Sequence, residues 1–397
     1  MTMTRGNAVA VLVAIAVCGG CDSVPPGAIT KCQATSVIAA PVKTDILFVV
    51  DDSGSMANEQ QGLADNFKAF IDRLAASPVK NEFRIGITTT SVVGFPSDSW
   101  GSTVYSPITV NAGEPYPRGA LVAIDPATGK IRYDATAKAY TGTRILEADS
   151  PTLADDFKAN VKVGTGGSGK EMGLEAARLA LTERIADGTN AGFLRPGARL
   201  AVIIVSDEDD CTDGAQSATT NDQCHDPTFK QNGLQPVQTF IDLLHGTLAG
   251  ERRDVVVATI IGTDVITHER GSSCSTAFDA GLRYWDFANA FGDHGLIDSI
   301  CNVSFGGTLD AIAGLIDPGQ EIDLTEDPGD WRLLAVSVSH PTGTPTNCEV
   351  APVGAVTATA GAIFTSSQSG QPAKLRFQNG CTLQQGDQVS VQLLCAG

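Results

Sequence analysis

Apolar residues follow two different periods along residues 43–316, and segments with the two periods alternate. Residues 46–50 and 202–205 are uniformly apolar, and residues 255–261 are apolar apart from Thr259, which is typical of strands buried on both faces of a sheet. Between them, apolar residues recur at helical spacing, as do Leu63, Phe67, Phe70, Ile71 and Leu74; Leu174, Ala177, Leu181 and Ile185; Phe240, Leu243 and Leu244; and Leu309, Ile312 and Ile316. This alternation predicts an α/β fold with a doubly wound, mostly parallel sheet. Such sheets bind ligands at the carboxyl ends of their strands.

Two insertions interrupt this alternation. About residues 92–160 are rich in Gly, Pro, Ser and Thr, and within them residues 119–124 and 130–133 flank a turn, which predicts a hairpin. This insertion either shapes a surface for a partner or is a surface elaboration without a ligand, and the sequence leaves both open. A second insertion, over about residues 208–232, is acidic, and we expect its carboxylates to lie in a solvated loop.

The chain beyond Asp330 has a different character. Short β-patterned segments separated by Gly and Pro turns, without a helical pattern, predict a small disulfide-linked β domain over residues 330–397. The main domain is therefore expected over residues 43–318. Residues 21–42 contain a Pro-Pro pair and many small residues, which is typical of a mobile tether.

The N-terminus indicates export. Residues 1–20 contain Arg5 and a short apolar stretch that cannot span a bilayer permanently, as in a secretory signal peptide. Gly19-Gly20-Cys21 resembles a bacterial lipobox, although Cys18 stands where Leu is usual. We therefore expect lipidation at Cys21 and a location at the membrane surface of the cell envelope, periplasmic or outer, with simple secretion as the alternative.

Cysteine usage agrees with export. Of 10 cysteines, removing Cys18 and Cys21 leaves 10 − 2 = 8, and an even number in an exported chain implies disulfides. Two pairs bracket single loops, so we expect the disulfides Cys211–Cys224 and Cys274–Cys301. The pairing of the remainder cannot be deduced from the sequence: Cys32, Cys348, Cys381 and Cys395.

The formal net charge of −18 narrows the range of partners. Such a charge disfavours binding to nucleic acid and to anionic membrane surfaces. Lipid attachment, and not charge, would have to hold this protein at a membrane.

Candidate chemistry begins directly after the first buried run. The segment Asp51-Asp52-Ser53-Gly54-Ser55 follows Val50. The carboxylate of Asp51 and the hydroxyls of Ser53 and Ser55 are spaced two residues apart, so they would meet at one end of the sheet. These oxygens suit Mg²⁺, which keeps several waters and needs few charged ligands. Asp, Ser and Gly after a strand are also ordinary turn residues, which is the alternative interpretation.

Two further segments strengthen the metal interpretation. Residues 199–205 form another apolar run followed by Ser206-Asp207-Glu208, and residues 164–169 form a glycine-rich loop. Together the three segments resemble the metal-ion-dependent adhesion site of von Willebrand factor A domains, over roughly residues 43–316. The resemblance implies the metal ligands Asp51, Ser53, Ser55, Ser168 and Asp207, with Thr165 as the alternative to Ser168.

Other residues near these segments have alternative roles. Glu171 and Asp209 are candidates for outer-shell contacts to the ion, and Glu171 also suits the start of a helix. Residues 164–170 match the spacing of a phosphate-binding loop as far as Lys170. The following residue should be Ser or Thr but is Glu171, so we do not expect a nucleotide.

An enzyme is not expected. None of the five histidines forms a metal-binding pair at helical spacing, and no Gly-x-Ser-x-Gly elbow surrounds Ser53. The resemblance implies that a carboxylate of a protein partner completes the shell of Mg²⁺, or of Mn²⁺ or Ca²⁺. The predicted function is therefore metal-dependent capture of a protein partner. The alternatives are a structural envelope protein that uses the A domain as a scaffold, and a metal-dependent hydrolase.

Overall fold

A computed structural model describes most of the chain. It covers residues 29–38, 42–75, 81–107, 109–316, 320–324, 326–340, 343–353, 359–368, 372–384 and 387–396. The predicted signal peptide and the lipidation site Cys21 lie outside the described residues. Within them, no helix combines the length and the apolar character needed to cross a bilayer.

The secondary structure alternates between strands and helices as far as residue 316. The strands are β1 (Ile29–Ile38), β2 (Val42–Val50), β3 (Asn81–Thr89), β4 (Ile124–Asp125), β5 (Lys130–Ile131), β6 (Tyr133–Asp134), β7 (Ala139–Tyr140), β8 (Ile145–Glu147), β9 (Arg199–Val205), β10 (Thr247–Leu248), β11 (Glu251–Arg252), β12 (Val255–Ile261), β13 (Gly295–Ser299), β14 (Glu321–Asp323), β15 (Leu334–Ser339), β16 (Thr346–Cys348), β17 (Val350–Pro352), β18 (Ala362–Thr365), β19 (Lys374–Phe377) and β20 (Gln388–Ala396). The α-helices are α1 (Ala57–Ala75), α2 (Leu153–Asn160), α3 (Gly173–Leu181), α4 (Glu183–Ala186), α5 (Asn221–His225), α6 (Pro227–Asn232), α7 (Val237–His245), α8 (Leu282–Asn289) and α9 (Gly306–Ile316).

The central sheet of the described chain has six strands in the order β13-β12-β9-β2-β3-β8. All neighbours are parallel except β8, which is antiparallel to β3. The prediction of a mixed α/β fold with a mostly parallel sheet is confirmed. The apolar runs form β2, β9 and β12 because strands in the middle of such a sheet are covered on both faces.

Helices cover both faces of this sheet. Side chains alternate in β2, so Phe48 contributes to the core that contains α1 and α9, whereas Leu47 and Val49 contribute to the core with α3, α7 and α8. Helical spacing places Phe67 and Leu309 on the first of these cores. Apolar packing on both faces therefore fixes the register of β2, and with it the position of the residues that follow.

The strand order creates a crevice at the carboxyl ends of β2 and β9. After β2 the chain adds β3 and β8 on one side, and it then returns to add β9, β12 and β13 on the other side. Loops that leave neighbouring strands in opposite directions open a crevice between them, where doubly wound sheets bind ligands. The backbone N–H of Asp51 donates to the carbonyl of Val205 (2.9 Å), so the loops after β2 and β9 start side by side.

The first insertion is more ordered than its composition indicated. The predicted hairpin is present but short, since only β4 and β5 pair across the turn. Helix α2 lies at the end of the insertion and was not predicted from the sequence. This helix buries Leu153 and Phe157, and the ring of Phe157 packs edge-on against Phe48, with the ring centroids 5.3 Å apart.

The C-terminal region is built from small sheets, as predicted. One described sheet has the order β1-β20-β15-β16 and another has the order β14-β19-β18-β17, and they share one apolar core. The expectation of a mobile tether is wrong for residues 29–38. These residues form β1, which pairs antiparallel with β20 because an extended polar–apolar segment can complete an open sheet edge.

Disulfides join residues within both regions. The expected pairs Cys211–Cys224 and Cys274–Cys301 are present, and the structure adds Cys348–Cys381, which the sequence could not assign. The backbone register of β1 and β20 places Thr30 opposite Cys395. Disulfides are typical of extracellular and envelope proteins.

Replacing both Cys348 and Cys381 with alanine should destabilise the C-terminal region. Removal of a native disulfide typically costs about 2–5 kcal/mol, because the unfolded chain gains freedom. Urea unfolding followed by the fluorescence of Trp331 would measure the loss. Unchanged unfolding, together with free thiols at both positions in the native wild-type protein, would contradict the pairing.

Candidate functional site

The Asp-x-Ser-x-Ser segment forms a tight loop at the end of β2. The Asp51 carboxylate is fully buried, and one of its oxygens accepts a hydrogen bond from the backbone N–H of Ser53 (2.7 Å). Its other oxygen accepts from the hydroxyl of Ser206, at 2.6 Å. The hydroxyls of Ser53 and Ser55 lie 3.3 Å apart. The structure therefore brings the three predicted ligands of this loop together, although their role in binding a metal stays a prediction.

Asp207, at the end of β9, faces this loop. Its backbone carbonyl accepts from the N–H groups of Phe278 and Asp279 (2.8 and 3.1 Å), which fixes the turn. Burial raises the pKa of Asp207, and a hydrogen bond from the Ser55 hydroxyl lowers it in part. Its Oδ1 atom is buried and has no hydrogen-bond partner among the described residues. Asp207 thus offers a free oxygen next to Ser55.

The glycine-rich loop lies against Asp52. Gly167 donates its N–H to the Asp52 carbonyl (2.7 Å), and a Cβ at Gly167 would come within 2.3 Å of the Asp52 carboxylate, so only glycine fits there. The hydroxyl of Ser91 donates to Asp52 Oδ1 (2.7 Å) and accepts from the N–H of Ser168 (2.8 Å). Ser91 therefore connects the Asp52 carboxylate with the loop that carries Ser168.

The two alternatives within the glycine-rich loop differ in position. Ser168 is buried, and its hydroxyl donates to the Val93 carbonyl (3.2 Å) and accepts from the N–H of Lys170 (2.9 Å). A hydroxyl has two lone pairs, so the Ser168 oxygen keeps one for another partner. Thr165 is exposed. The geometry therefore favours Ser168 over Thr165, because Ser168 is buried and contacts Ser91, which bonds the Asp52 carboxylate.

The site concentrates carboxylates that are removed from water. Burial raises the pKa of Asp51 to about 6, and the charge of Asp207 adds to this rise. Burial likewise raises the pKa of Asp52 to about 7 and that of Glu208 to about 8, with the charge of Asp51 contributing to both. Burial raises the pKa of Glu171 well above its ordinary value, and the charges of Asp51 and Glu208 add to it.

Several of these oxygens have no partner. Both carboxylate oxygens of Glu171, one of Asp52 and one of Asp207 are buried without a hydrogen bond among the described residues. Buried carboxylates are normally paired or coordinate a cation. Hydroxyls from Ser53 and Ser55 next to such carboxylates form an all-oxygen donor set, which hard divalent cations prefer. The residues at this site therefore fit a divalent cation.

The predicted ligand set differs from a carboxylate or cysteine–histidine cage. Across the described residues, no group of three or more His, Cys, Asp or Glu side chains has the spacing of a metal site. The predicted set contains only two carboxylates, Asp51 and Asp207, and its other members are hydroxyls. It would therefore depend on water or a partner for the remaining coordination positions.

The start of the acidic insertion is buried, so the expectation of a solvated loop is wrong for Asp209 and Asp210. Asp209 and Asp210 are 2% and 0% exposed, because each pairs with a basic residue. The two oxygens of Asp209 accept from Lys230 Nζ (2.7 Å) and from the backbone N–H of Arg283 (2.8 Å). Both oxygens are therefore already bonded to groups other than the predicted outer-shell partner, the ion site. The Arg283 guanidinium also lies 3.0 Å from Asp210. These pairs explain how a strongly acidic loop packs beside Asp207.

Lys170 joins the same network. Its Nζ is buried and donates to both oxygens of Asp213 (2.7 and 2.8 Å) and to the Ala218 carbonyl (3.0 Å). In a phosphate-binding loop the lysine would have to reach the phosphates. Here the acidic insertion holds it, and the next residue, Glu171, is buried before the start of α3 instead of lying in the first turn of that helix.

Sequence reasoning missed residues that hold the loops together. Gln60 Nε2 donates to the carbonyls of Asp51 (2.9 Å) and Gly164 (2.7 Å), which ties α1 to two of the loops. Ser91 and Ser206 bond the carboxylates of Asp52 and Asp51. Ser206 directly follows β9 and Ser91 lies two residues after β3, and a position just beyond the carboxyl end of a parallel strand is the signal that could have identified them.

The comparisons with known proteins add little. No protein-family model and no curated protein matches the chain. It is similar to proximal thread matrix protein 1 from the mussel byssus, at 12% identity and a TM-score of 0.32 over 73% of this chain and 51% of that chain. It is also similar to the pilus adhesin SpaC from Lactobacillus rhamnosus GG. In its open conformation the identity is 11% and the TM-score 0.36, over 89% of this chain and 38% of that chain.

Another crystal structure of that adhesin gives 10% identity and a TM-score of 0.35, over 89% of this chain and 39% of that chain. The chain thus spans between 38% and 51% of the length of these proteins. Similarity at this level carries no argument about function.

The raised pKa of Glu208 predicts a pH dependence of stability. Between the ordinary pKa of 4.5 and the folded value of about 8, the folded protein keeps a proton that the unfolded chain has lost, so stability falls as pH rises through this window. In chelator, the thermal midpoint of the wild type should therefore fall more steeply from pH 5 to pH 8 than that of Glu208→Gln. The exposed Glu326→Gln is the matched control, and equal slopes for wild type and Glu208→Gln would contradict the assignment.

Proposed function

We propose that this is an exported binding protein that captures a protein partner through a divalent cation. Asp51, Ser53, Ser55, Ser168 and Asp207 would hold the ion, with Mg²⁺ expected first and Mn²⁺ or Ca²⁺ as alternatives. A bound cation would supply an electrophilic centre that accepts a carboxylate oxygen of the partner. The mixed α/β architecture and the disulfides fit an extracellular or envelope protein.

The observation that carries the proposal is the set of unpartnered carboxylate oxygens in the crevice between β2 and β9. Asp207 Oδ1 and both oxygens of Glu171 are buried without a partner among the described residues, close to the fully buried Asp51. Leaving such groups uncompensated destabilises a folded protein. A cation at this point would offset the repulsion and make the loop positions energetically reasonable.

Small residues line the approach to the proposed site. Gly54 and Ser55 are exposed on the loop after β2. A Cβ on Gly54 would meet no described heavy atom within 4 Å, so nothing in the described chain covers this point. Ser55 is thus the predicted ligand that both contacts the Asp207 environment and faces solvent, which suits a site that a second molecule approaches.

Divalent cations should stabilise the protein. At about 100 times the dissociation constant, a ligand that binds only the folded state stabilises it by about 2.7 kcal/mol. Calorimetry with Mg²⁺, Mn²⁺ or Ca²⁺, each against chelator, should show a raised thermal midpoint for the wild type. The gain should disappear in Asp51→Ala and shrink in Ser55→Ala.

Ser217→Ala is the matched control for the serine variant, because Ser217 is an exposed hydroxyl bonded to Asp213 in the acidic insertion. It should keep the full gain. Ser55→Ala keeps the test valid if Asp51→Ala fails to fold, because the Ser55 side chain is exposed and its replacement should not disturb folding. A wild-type midpoint that none of the three cations moves would rule out the metal site.

Partner capture should depend on the cation. Crosslinking on intact cells, followed by affinity purification, should recover a partner with Mg²⁺ and lose it with chelator, and Ser55→Ala should recover less than Ser217→Ala. Recovery that ignores both chelator and Ser55→Ala would instead support a structural scaffold. Release of a product from the captured partner would support a hydrolase.

A further inference from the structure

A second cavity lies in the first insertion, away from the Asp-x-Ser-x-Ser loop. Its volume is about 480 Å³, within the range of small-molecule sites. One wall comes from residues 115–120, another from residues 133–144, and the third from residues 184–189, in α4 and the segment that follows it. The site described above uses none of these residues.

Cations line this cavity, in a protein with a net charge of −18. Arg118, Lys138, Arg144 and Arg184 line it, and no Asp or Glu does. Arg184 pairs with Asp187 and Glu183, so its charge is already compensated. The other three cations have no carboxylate partner among the described residues. The cavity therefore carries a positive charge that the described chain does not neutralise.

This lack of partners is unusual within the chain. Among the described arginines, those without an ion pair to a described carboxylate are Arg118, Arg144 and Arg252. Two of these three line one cavity, although the chain has 45 acidic residues and only 27 basic ones. Because carboxylates outnumber basic side chains, most described arginines form an ion pair. Two of the three exceptions line the same cavity, where the carboxylate of a ligand could be the missing partner.

The geometry of the arginines leaves donors free. One terminal nitrogen of Arg144 donates to the carbonyls of Thr189 (2.8 Å) and Leu121 (3.4 Å), and burial lowers its pKa. One terminal nitrogen of Arg118 donates to the Val92 carbonyl (3.1 Å). A guanidinium has five N–H donors in a planar fork, so each of these side chains is held in place with further donors available for an anion.

Two tyrosines supply an aromatic wall. Tyr133 and Tyr140 both line the cavity, with ring centroids 5.1 Å apart and a tilt of 57° between the rings. The Tyr140 hydroxyl donates to the Pro115 carbonyl (2.6 Å), which fixes the ring. Aromatic rings beside free arginine donors suit a ligand that has both an anionic group and a ring. One face of that ring should be less polar, so that it can pack on the tyrosines.

We propose that this cavity binds an acidic sugar, whose carboxylate contacts Arg118 and Arg144 and whose ring packs on Tyr133 and Tyr140. The cavity has room for one or two sugar units. The proposal is independent of the cation site, because it uses neither Asp51 nor any other predicted ligand.

Calorimetric titration with D-glucuronate and D-galacturonate tests this. The titration is done in chelator, so that a carboxylate cannot bind through a cation near Asp51. At least one uronate should bind the wild type, and D-glucose and acetate should bind about tenfold more weakly or less, since each lacks one half of the recognition. Arg118→Gln and Arg144→Gln should each weaken binding about tenfold or more, because a charge-assisted pair is lost.

Arg252→Gln is the matched control, since Arg252 also lacks an ion pair but lines a different cavity, beside Asp254 and Lys374. It should bind the uronate as the wild type does. Arg118→Gln and Lys138→Gln alter exposed side chains, so they keep the test valid if Arg144→Gln fails to fold. Absence of uronate binding, equal binding of acetate, or an equal loss in Arg252→Gln would each overturn the proposal.

Discussion

The stability of the folded structure depends on how the buried carboxylates at the carboxyl end of the sheet are compensated. The buried acids there are Asp51, Asp52, Glu171, Asp207 and Glu208. Their desolvation and mutual repulsion raise their pKa values, which is a free-energy cost carried by the folded state. Hydroxyls and backbone N–H groups offset part of this cost, as at Asp51, but they leave several oxygens without a partner.

In the neighbouring acidic insertion, carboxylates are compensated in a different way, by ion pairs. Asp209 pairs with Lys230 of the same insertion, whereas Asp210 and Asp213 pair with Arg283 and Lys170 from other segments. The disulfide between Cys211 and Cys224 closes the same loop. Because these cations are engaged by the three aspartates, the insertion packs beside Asp207 without lending a positive charge to the crevice. The contrast separates carboxylates that stabilise the loop from carboxylates that remain available to a ligand.

The sequence predicted the central architecture because burial on both faces leaves an unambiguous pattern. The apolar runs form β2, β9 and β12. The carboxyl ends of β2 and β9, which are followed by Asp51 and Asp207, lie side by side as expected. Their meeting follows from strand order, and strand order follows from the alternation of strands with helices.

The errors concern residues whose state depends on distant partners. The burial of Asp209 requires Lys230 and Arg283, and no local pattern around Asp209 indicates either partner. Strand β1 pairs with β20 at the other end of the chain, so its local composition resembled a tether. Local periodicity therefore does not predict strand pairs or ion pairs between residues that are far apart in the chain.

The first insertion supports the loops that carry the buried carboxylates. It begins at the end of β3, where Ser91 contacts the Asp52 carboxylate, and the N–H of Arg118 donates to the Ser91 carbonyl (3.3 Å). The N–H of Ser106 donates to the Gly166 carbonyl (3.2 Å), so the same insertion also supports the glycine-rich loop. Removing it would take away contacts on two sides of the buried acids. One segment thus both braces the carboxylate crevice and forms two of the three walls of the cationic cavity, which gives the two places a shared structural origin.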